Sequence, residues 1–164
     1  MKRKNLPHSF NIIIICSIFI ISCSDPISSP SDIPIDELLS AHETLSIDNK
    51  DIVLNTSIYL DLMPAVSETP MIVQINLETV DSSDIPTSIN PKSLYIVNQS
   101  EVWKTFFSNE SPRESEIKPF RIVKKAREGP KWGPNIFVDI IVSLEISNKI
   151  YLIRVSDQYI NAVY

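Results

Sequence analysis

The chain has few of the residues that carry most covalent and metal chemistry. Among 164 residues there are only two cysteines, two histidines and two glycines. Both cysteines, Cys16 and Cys23, lie near the amino terminus, so the remaining sequence offers no disulfide, no thiolate nucleophile and no cysteine metal site. His8 lies in the same first part, which leaves His42 as the only later histidine. A histidine cluster for a metal and a Cys-His pair are therefore excluded.

The other routes to catalysis are also weak. A Ser-His-Asp set built on His42 has no nucleophile elbow or comparable signature beside it. Asp81 and Asp84 do not have the alternating spacing of a calcium loop. Glu114 and Glu116 have the composition of solvated loop acids. We therefore predict a protein that is not an enzyme and that needs no metal or cofactor.

The longest nearly unbroken apolar run, residues 12–21, is too short to cross a bilayer, which takes roughly 20 apolar residues. It follows the cationic residues 2–4, and the small residue Ser22 comes directly after it, an order typical of a secretory signal. An uncleaved membrane helix fits this length poorly. A plain secretory signal cut at another position is the closer alternative.

The residues at the end of this run resemble the lipobox of bacterial lipoprotein precursors: Ile20, Ile21, Ser22 and Cys23. The resemblance implies that a signal peptidase recognises the first three residues and cuts before Cys23, after the thiol of Cys23 has been joined to a diacylglycerol. Residues 1–22 are then a signal peptide. Two acyl chains suffice for stable attachment to a membrane. The implied location is the extracytoplasmic side of a bacterial membrane in the cell envelope.

The residue after the lipidated cysteine refines this location. In enteric bacteria a residue other than Asp at this position permits transfer to the outer membrane, and Ser24 meets that condition. The resemblance thus implies the outer membrane if the organism has one.

Charge excludes one class of partner. Removal of the first 22 residues takes away three of the 15 basic residues and none of the 20 acidic ones, which leaves a net charge of −8. An acidic domain is a poor match for nucleic-acid phosphates, which select for basic surfaces. We therefore predict that the chain does not bind nucleic acid.

The segment after Cys23 reads as a tether. Residues 24–34 contain three prolines and four serines, a composition that gives an extended and poorly packing chain. Residues 35–45 then place apolar side chains at helical spacing, which leaves a short helix open. We assign residues 23–50 to the lipidated cysteine, the tether and this short helix.

From residue 51 onwards the apolar period changes to two, which is typical of strands. Because helical crossovers are absent from this pattern, residues 51–164 are predicted to be all-β, a two-sheet antiparallel β-sandwich with an immunoglobulin-like Greek key. The longest alternation places Ile140 and Val142 in the core and Asp139, Ile141 and Ser143 on the opposite, wetter face. This likeness in fold carries no function. The seven predicted strands are residues 52–61, 71–78, 94–97, 102–107, 120–125, 136–146 and 150–155.

The most unusual loop is residues 128–135, which contain both glycines, each followed by proline. Glycine permits unusual backbone angles and proline fixes the next φ, so Trp132 is expected on a stiff loop. In one interpretation Trp132 anchors a partner while Arg127 and Lys131 form a cationic rim, a composition typical of binding hot spots. In the other, Trp132 folds back to close one end of the sandwich and the cations face water.

A second aromatic group permits a different interpretation. Trp103, Phe106 and Phe107 lie close together in the sequence, and exposed aromatic faces stack on sugars. Tyr59 and Tyr95 are the residues that extend such a platform if they share its face.

The function predicted from these features is that of a lipid-anchored envelope protein that acts through protein contacts or as an accessory subunit. Its partners are the membrane, through Cys23, and an unidentified envelope protein or glycan. A carbohydrate-binding module using Trp103 or Trp132 is the first alternative. The second is an inhibitor of extracellular enzymes presented on the loop at residues 128–135.

Overall fold

The computed structural model describes residues 32–62 and 71–163. Most of these residues lie in strands, which confirms the predicted all-β class. The lipobox and lipidation residues Ile20, Ile21, Ser22 and Cys23 lie outside the described residues. The elements are α1 (Ile35–Leu39), β1 (Thr44–Ile47), β2 (Lys50–Asp61), β3 (Met71–Thr79), β4 (Asn90–Asn98), β5 (Glu101–Phe106), a 3₁₀ turn (Glu114–Glu116), β6 (Arg121–Gly129), β7 (Phe137–Ile146) and β8 (Lys149–Val163).

The strands form one curled sheet in the order β5-β4-β7-β8-β2-β3-β6, and β1 pairs with β2. Neighbouring strands are antiparallel except β2 and β8, which run parallel at residues 58–61 and 160–163. β8 pairs with β7 through its first part and with β2 through its last part. A register shift near Asp157, which has a φ of 52°, comes shortly before the change of partner at Ile160. Such irregularities bend a strand, so β8 connects the two halves of the sheet.

Three hairpins have two-residue turns, at residues 48–49, 99–100 and 147–148. Asp48 and Asn49 have φ values of 51° and 62°, and Ser147 and Asn148 have values of 50° and 64°. Two successive left-handed residues make a type I′ turn, whose twist matches that of the strands it joins. Asparagine tolerates this backbone region, which explains why the second residue of each pair is Asn.

The main hydrophobic cluster lies between the two halves of the curled sheet. Both halves contribute to it, with Ile58 and Val73 from one side and Leu94, Ile140 and Val142 from the other. Ile140 and Val142 have no exposed surface, as the alternation along β7 predicts. Burial of this apolar area is the chief favourable term in the stability of the domain.

A second, smaller cluster lies on the outer face of β4 and β7. It contains Tyr95, Val97 and Ile141, and Leu38 of α1 packs against them. The prediction that Ile141 faces water is wrong, because α1 covers this part of the outer face and leaves Ile141 with no exposed surface. Ser143, assigned to the same face, is also buried.

The first elements also differ from the sequence prediction. The helix ends at Leu39 and does not continue through residues 42–45. His42 instead bridges to Ile153, and Leu45 lies in β1, which pairs with β2. The sheet therefore begins before the predicted domain boundary at residue 51.

Candidate functional site

The loop between β6 and β7 is tied to β8. The backbone N–H of Asn135 donates to the carbonyl oxygen of Ile160 at 3.1 Å, and the N–H of Ile160 donates to the carbonyl oxygen of Ile136 at 3.0 Å. Gly133 has a φ of 84°, and a Cβ at this position would lie 3.5 Å from the side chain of Ile160. The loop needs glycine here because a side chain would strain the backbone.

Two of the predicted loop residues have different environments. Trp132 is half-buried and packs against the main hydrophobic cluster, whereas Lys131 is exposed. The indole therefore contributes to the core, and only part of its surface is available to a partner. This position agrees with the interpretation in which Trp132 folds back.

The basic residues near this loop are largely ion-paired. Arg127 donates to both carboxylate oxygens of Glu110, one of them at 3.0 Å. The guanidinium of Arg127 holds the pKa of Glu110 below its usual value. Lys125 lies 3.4 Å from Glu116. Arg121 pairs likewise with Glu78. Arg127 is therefore not a free cation beside Trp132, and neighbouring carboxylates balance the positive charge of Arg121, Lys125 and Arg127.

Two exposed rings lie next to the loop, and we call them the aromatic patch: Phe137 and Tyr159. Their centroids are 5.3 Å apart with the planes tilted by 55°, and Phe137 is 63% exposed. The hydroxyl of Tyr159 lies 2.6 Å from Asn135 Oδ1, to which it donates. Pairing across β7 and β8 sets the two residues side by side. The sequence places Phe137 on the outer face of its strand but gives no sign that Tyr159 is its neighbour.

The other predicted aromatic platform is not assembled. Trp103 and Phe107 pack against the main cluster. Tyr95 is only 4% exposed and belongs to the second cluster on the opposite face of the sheet. Phe106 is 70% exposed. These residues therefore do not form a single flat surface for a sugar.

The side chain of Arg154 connects the segment at residues 39–43 to the sheet. Its guanidinium donates to the carbonyl oxygen of Leu39 and lies 3.5 Å from Glu43. The hydroxyl of Ser156 donates to the same carboxylate at 2.7 Å and holds the pKa of Glu43 below its usual value. Nearby, burial raises the pKa of Asp139. This polar group fixes the end of α1 against β8.

Residues 32–62 and 71–163 contain no group of three or more His, Cys, Asp or Glu residues placed to hold a metal ion. In the same ranges no helix is both long enough and apolar enough to span a bilayer. Comparison of the chain with protein-family models, with curated proteins and with solved structures gives no match.

Proposed function

We propose that the chain is a lipid-anchored protein of the bacterial cell envelope, and that it acts through contact with another protein at the aromatic patch. The anchor is Cys23, and the support for it is the lipobox resemblance of residues 20–23. The contact is non-catalytic. Phe137 and Tyr159 form its centre, and Lys131 lies on the neighbouring loop.

The observation that carries the contact proposal is the exposure of Phe137 in an ordered setting. An aromatic ring that is 63% exposed leaves a large apolar area in water. Its partner ring is held by the hydrogen bond of Tyr159 to Asn135, and the loop beneath is tied to Ile160. Fixed aromatic side chains lose little conformational entropy on binding, which is why they dominate interface hot spots.

We also propose that the domain is an immunoglobulin-like sandwich with a Greek key. The strand order supports this, because β2, β3 and β6 are neighbours, as are β5, β4, β7 and β8. Taken in the order of the sheet, the first group corresponds to strands A, B and E of one immunoglobulin sheet. The second group corresponds to strands C′, C, F and G of the other. Within residues 32–62 and 71–163 this arrangement has no D strand.

A photo-crosslinking residue tests the contact proposal. We expect p-benzoylphenylalanine at Phe137 to give one discrete product on irradiation of cells. Phe106 is the matched control, because it is also a phenylalanine and is 70% exposed, on β5. Crosslinks of equal pattern from both positions, or none from Phe137, would contradict the proposal. A product from Phe137 whose added mass is removed by glycosidase would indicate a glycan partner instead.

The anchor is tested separately by intact mass measurement of the native protein. We expect loss of residues 1–22 and a diacylglycerol mass on Cys23. Because the cut follows lipidation, Cys23→Ser should keep residues 1–22 and carry no lipid, whereas Cys16→Ser should change nothing, since Cys16 lies in the segment that is removed. A native chain that keeps Met1, or carries an unmodified Cys23, would refute the lipid anchor without affecting the contact proposal.

A further inference from the structure

A gap separates β1 from the first part of β8. β2 pairs with β1 over residues 50–53 and with β8 over residues 58–61, so β1 lies on the edge of β2 that faces β8. The N–H of Arg154 donates to the carbonyl oxygen of His42 at 2.9 Å. Beyond this contact, towards the hairpin turns, no ladder joins β1 to β8 in the described chain. An open cleft of about 340 Å³ lies there.

In the described chain, the strand edges on the two sides of this gap carry backbone groups that no ladder uses. Hydrogen-bonded pairs alternate with other pairs along an antiparallel ladder, and the type I′ turns fix which pairs are bonded. In each hairpin, the two residues that flank the turn are hydrogen-bonded to each other. The adjacent residue on the outer strand, Ser46 in β1 and Ile150 in β8, therefore points its N–H and C=O groups away from the ladder. The bonded closing pairs are Ile47 with Lys50 and Ile146 with Lys149.

The backbone hydrogen bond of Arg154 supports this orientation of the edge groups. Residues an even number apart on a strand share an edge, so Arg154 and Ile150 expose their backbone groups on the same side of β8. Arg154 uses its N–H to bond His42 across the start of the gap. Ile150 lies four residues nearer the hairpin turn, where no ladder joins β8 to β1 in the described chain, and its side chain is 59% exposed.

Half of the side chains that line the cleft are apolar, and the lining carries no excess charge. Ile47 and Ile146 are almost fully buried, and Tyr151 is 40% exposed. The charged lining residues, Asp48 and Lys149, have opposite signs. These walls suit an uncharged segment with apolar side chains.

We propose that this cleft accepts an extended segment of a partner protein, which adds as a strand between β1 and β8. A strand supplies N–H and C=O groups on both of its edges, and unpaired strand edges are the known template for such addition. The inserted segment is free of proline, because a strand paired on both sides has no place for a residue without an N–H. The proposal goes beyond the contact at the aromatic patch, since Phe137 and Ile146 lie at opposite ends of β7.

The tether of this chain does not meet these requirements. Pro26, Pro30 and Pro34 leave at most three successive residues without proline in residues 24–34. A strand that spans the cleft needs more, because strands are usually about five or six residues long.

Peptide selection on the full-length protein in detergent tests the proposal. The probe is a displayed library of linear peptides of about seven residues. We expect retained peptides to be rich in β-branched residues and to lack proline. Each peptide should bind Ser46→Pro and Ile150→Pro at least about tenfold more weakly, because each substitution removes one edge donor without touching a ladder bond. Ser46→Ala and Ile150→Ala keep the N–H and should bind like the wild-type chain.

Methylated peptides make the test independent of protein folding. Methyl groups on alternate backbone nitrogens of a retained peptide remove the donors on one of its edges. A segment inserted between two strands uses both edges, so either methylated set should weaken binding at least about tenfold. Loss from one set alone would show pairing to a single edge and overturn insertion. No peptide retained, or peptides indifferent to both proline variants, would overturn the proposal altogether.

Two further measurements exclude other occupants. Dimerisation of the chain that is lost in Ser46→Pro would assign the cleft to a second copy and not to a partner. Replacement of residues 24–31 by glycine and serine should leave peptide capture unchanged. A gain in capture would assign the cleft to the tether.

Discussion

Ile141 is an outer-face residue that is buried like a core residue because a neighbouring element covers it. It lies on the outer face of β7, yet it has no exposed surface because Leu38 packs over it. We expect Ile141→Ala to lower the free energy of unfolding by about 2–4 kcal/mol, the cost of a cavity in a packed core. Ile150→Ala, at a site that is 59% exposed, should change it by less than about 0.5 kcal/mol. Urea unfolding measures both, and equal effects would contradict the cover by α1.

The raised pKa of Asp139 predicts that the stability of the domain depends on pH. Burial raises its pKa above the ordinary value of 3.8, with Asp157 and Glu43 adding to the rise and Arg154 opposing it. A raised folded pKa means that the folded chain holds a proton more tightly than the unfolded chain. The contribution of Asp139 is therefore fully favourable below pH 3.8 and is lost as the pH rises through the folded pKa.

Asp139→Asn tests this sign. Asparagine stays neutral, so its stability relative to the wild-type chain should increase as the pH rises from about 4 to about 7. Its Oδ1 remains able to accept the backbone hydrogen bond from Asp157. Urea unfolding across this range provides the measurement. A constant difference between the two chains at every pH would show that burial does not raise this pKa.

At the scale of the elements, alternation along the sequence predicts most of the strands but not the first one. β1 has only four residues, and Leu45 also fits the helical spacing that begins at Ile35. Its strand character depends on pairing with β2, a contact that periodicity in so short a segment does not indicate. Contacts between elements likewise determine the burial of Ile141 under α1 and the packing of Phe137 against Tyr159. Trp132 differs, since the high average burial of tryptophan already favours a position against the core.

α1 is too short to be stable alone, so its position depends on the sheet. Arg154 bonds the carbonyl oxygen of Leu39 at its end. We expect Arg154→Met to speed hydrogen exchange at the amides of Ser40 and Ala41 by about tenfold or more, because hydrogen bonds from charged groups contribute about 1.5–3 kcal/mol. Amides in the centre of β3 should be unaffected.

The matched control for this prediction is Lys92→Met. Lys92 pairs with Glu145 at 2.6 Å on the sheet surface, away from α1. Its removal should leave exchange at Ser40 and Ala41 unchanged. Faster exchange at these two amides in both variants would indicate general loosening and contradict a specific role for Arg154.

At the scale of the whole molecule, the main hydrophobic cluster takes the place of the disulfides on which many small domains depend. The main cluster draws residues from every strand pair of the described sheet, through positions such as Leu54, Val73, Ile96 and Ile153. A domain of this size buries roughly two thirds of its unfolded surface, which is enough to fold without a disulfide. Strand pairing across β8 makes the two halves of the sheet interdependent.

This arrangement predicts that the stability of the chain does not depend on redox conditions. Beyond Cys23 the sequence has no cysteine, so a reductant has no bond to break in the folded domain. We expect thermal unfolding with and without dithiothreitol to give the same midpoint, with one cooperative transition by circular dichroism and by tryptophan fluorescence. Cys23→Ser should unfold at the same temperature as the wild-type chain in detergent, because the proposed lipid would contribute nothing to the cysteine-free core. A midpoint that falls in reductant would mean that a cysteine link between chains contributes to the stability of the fold.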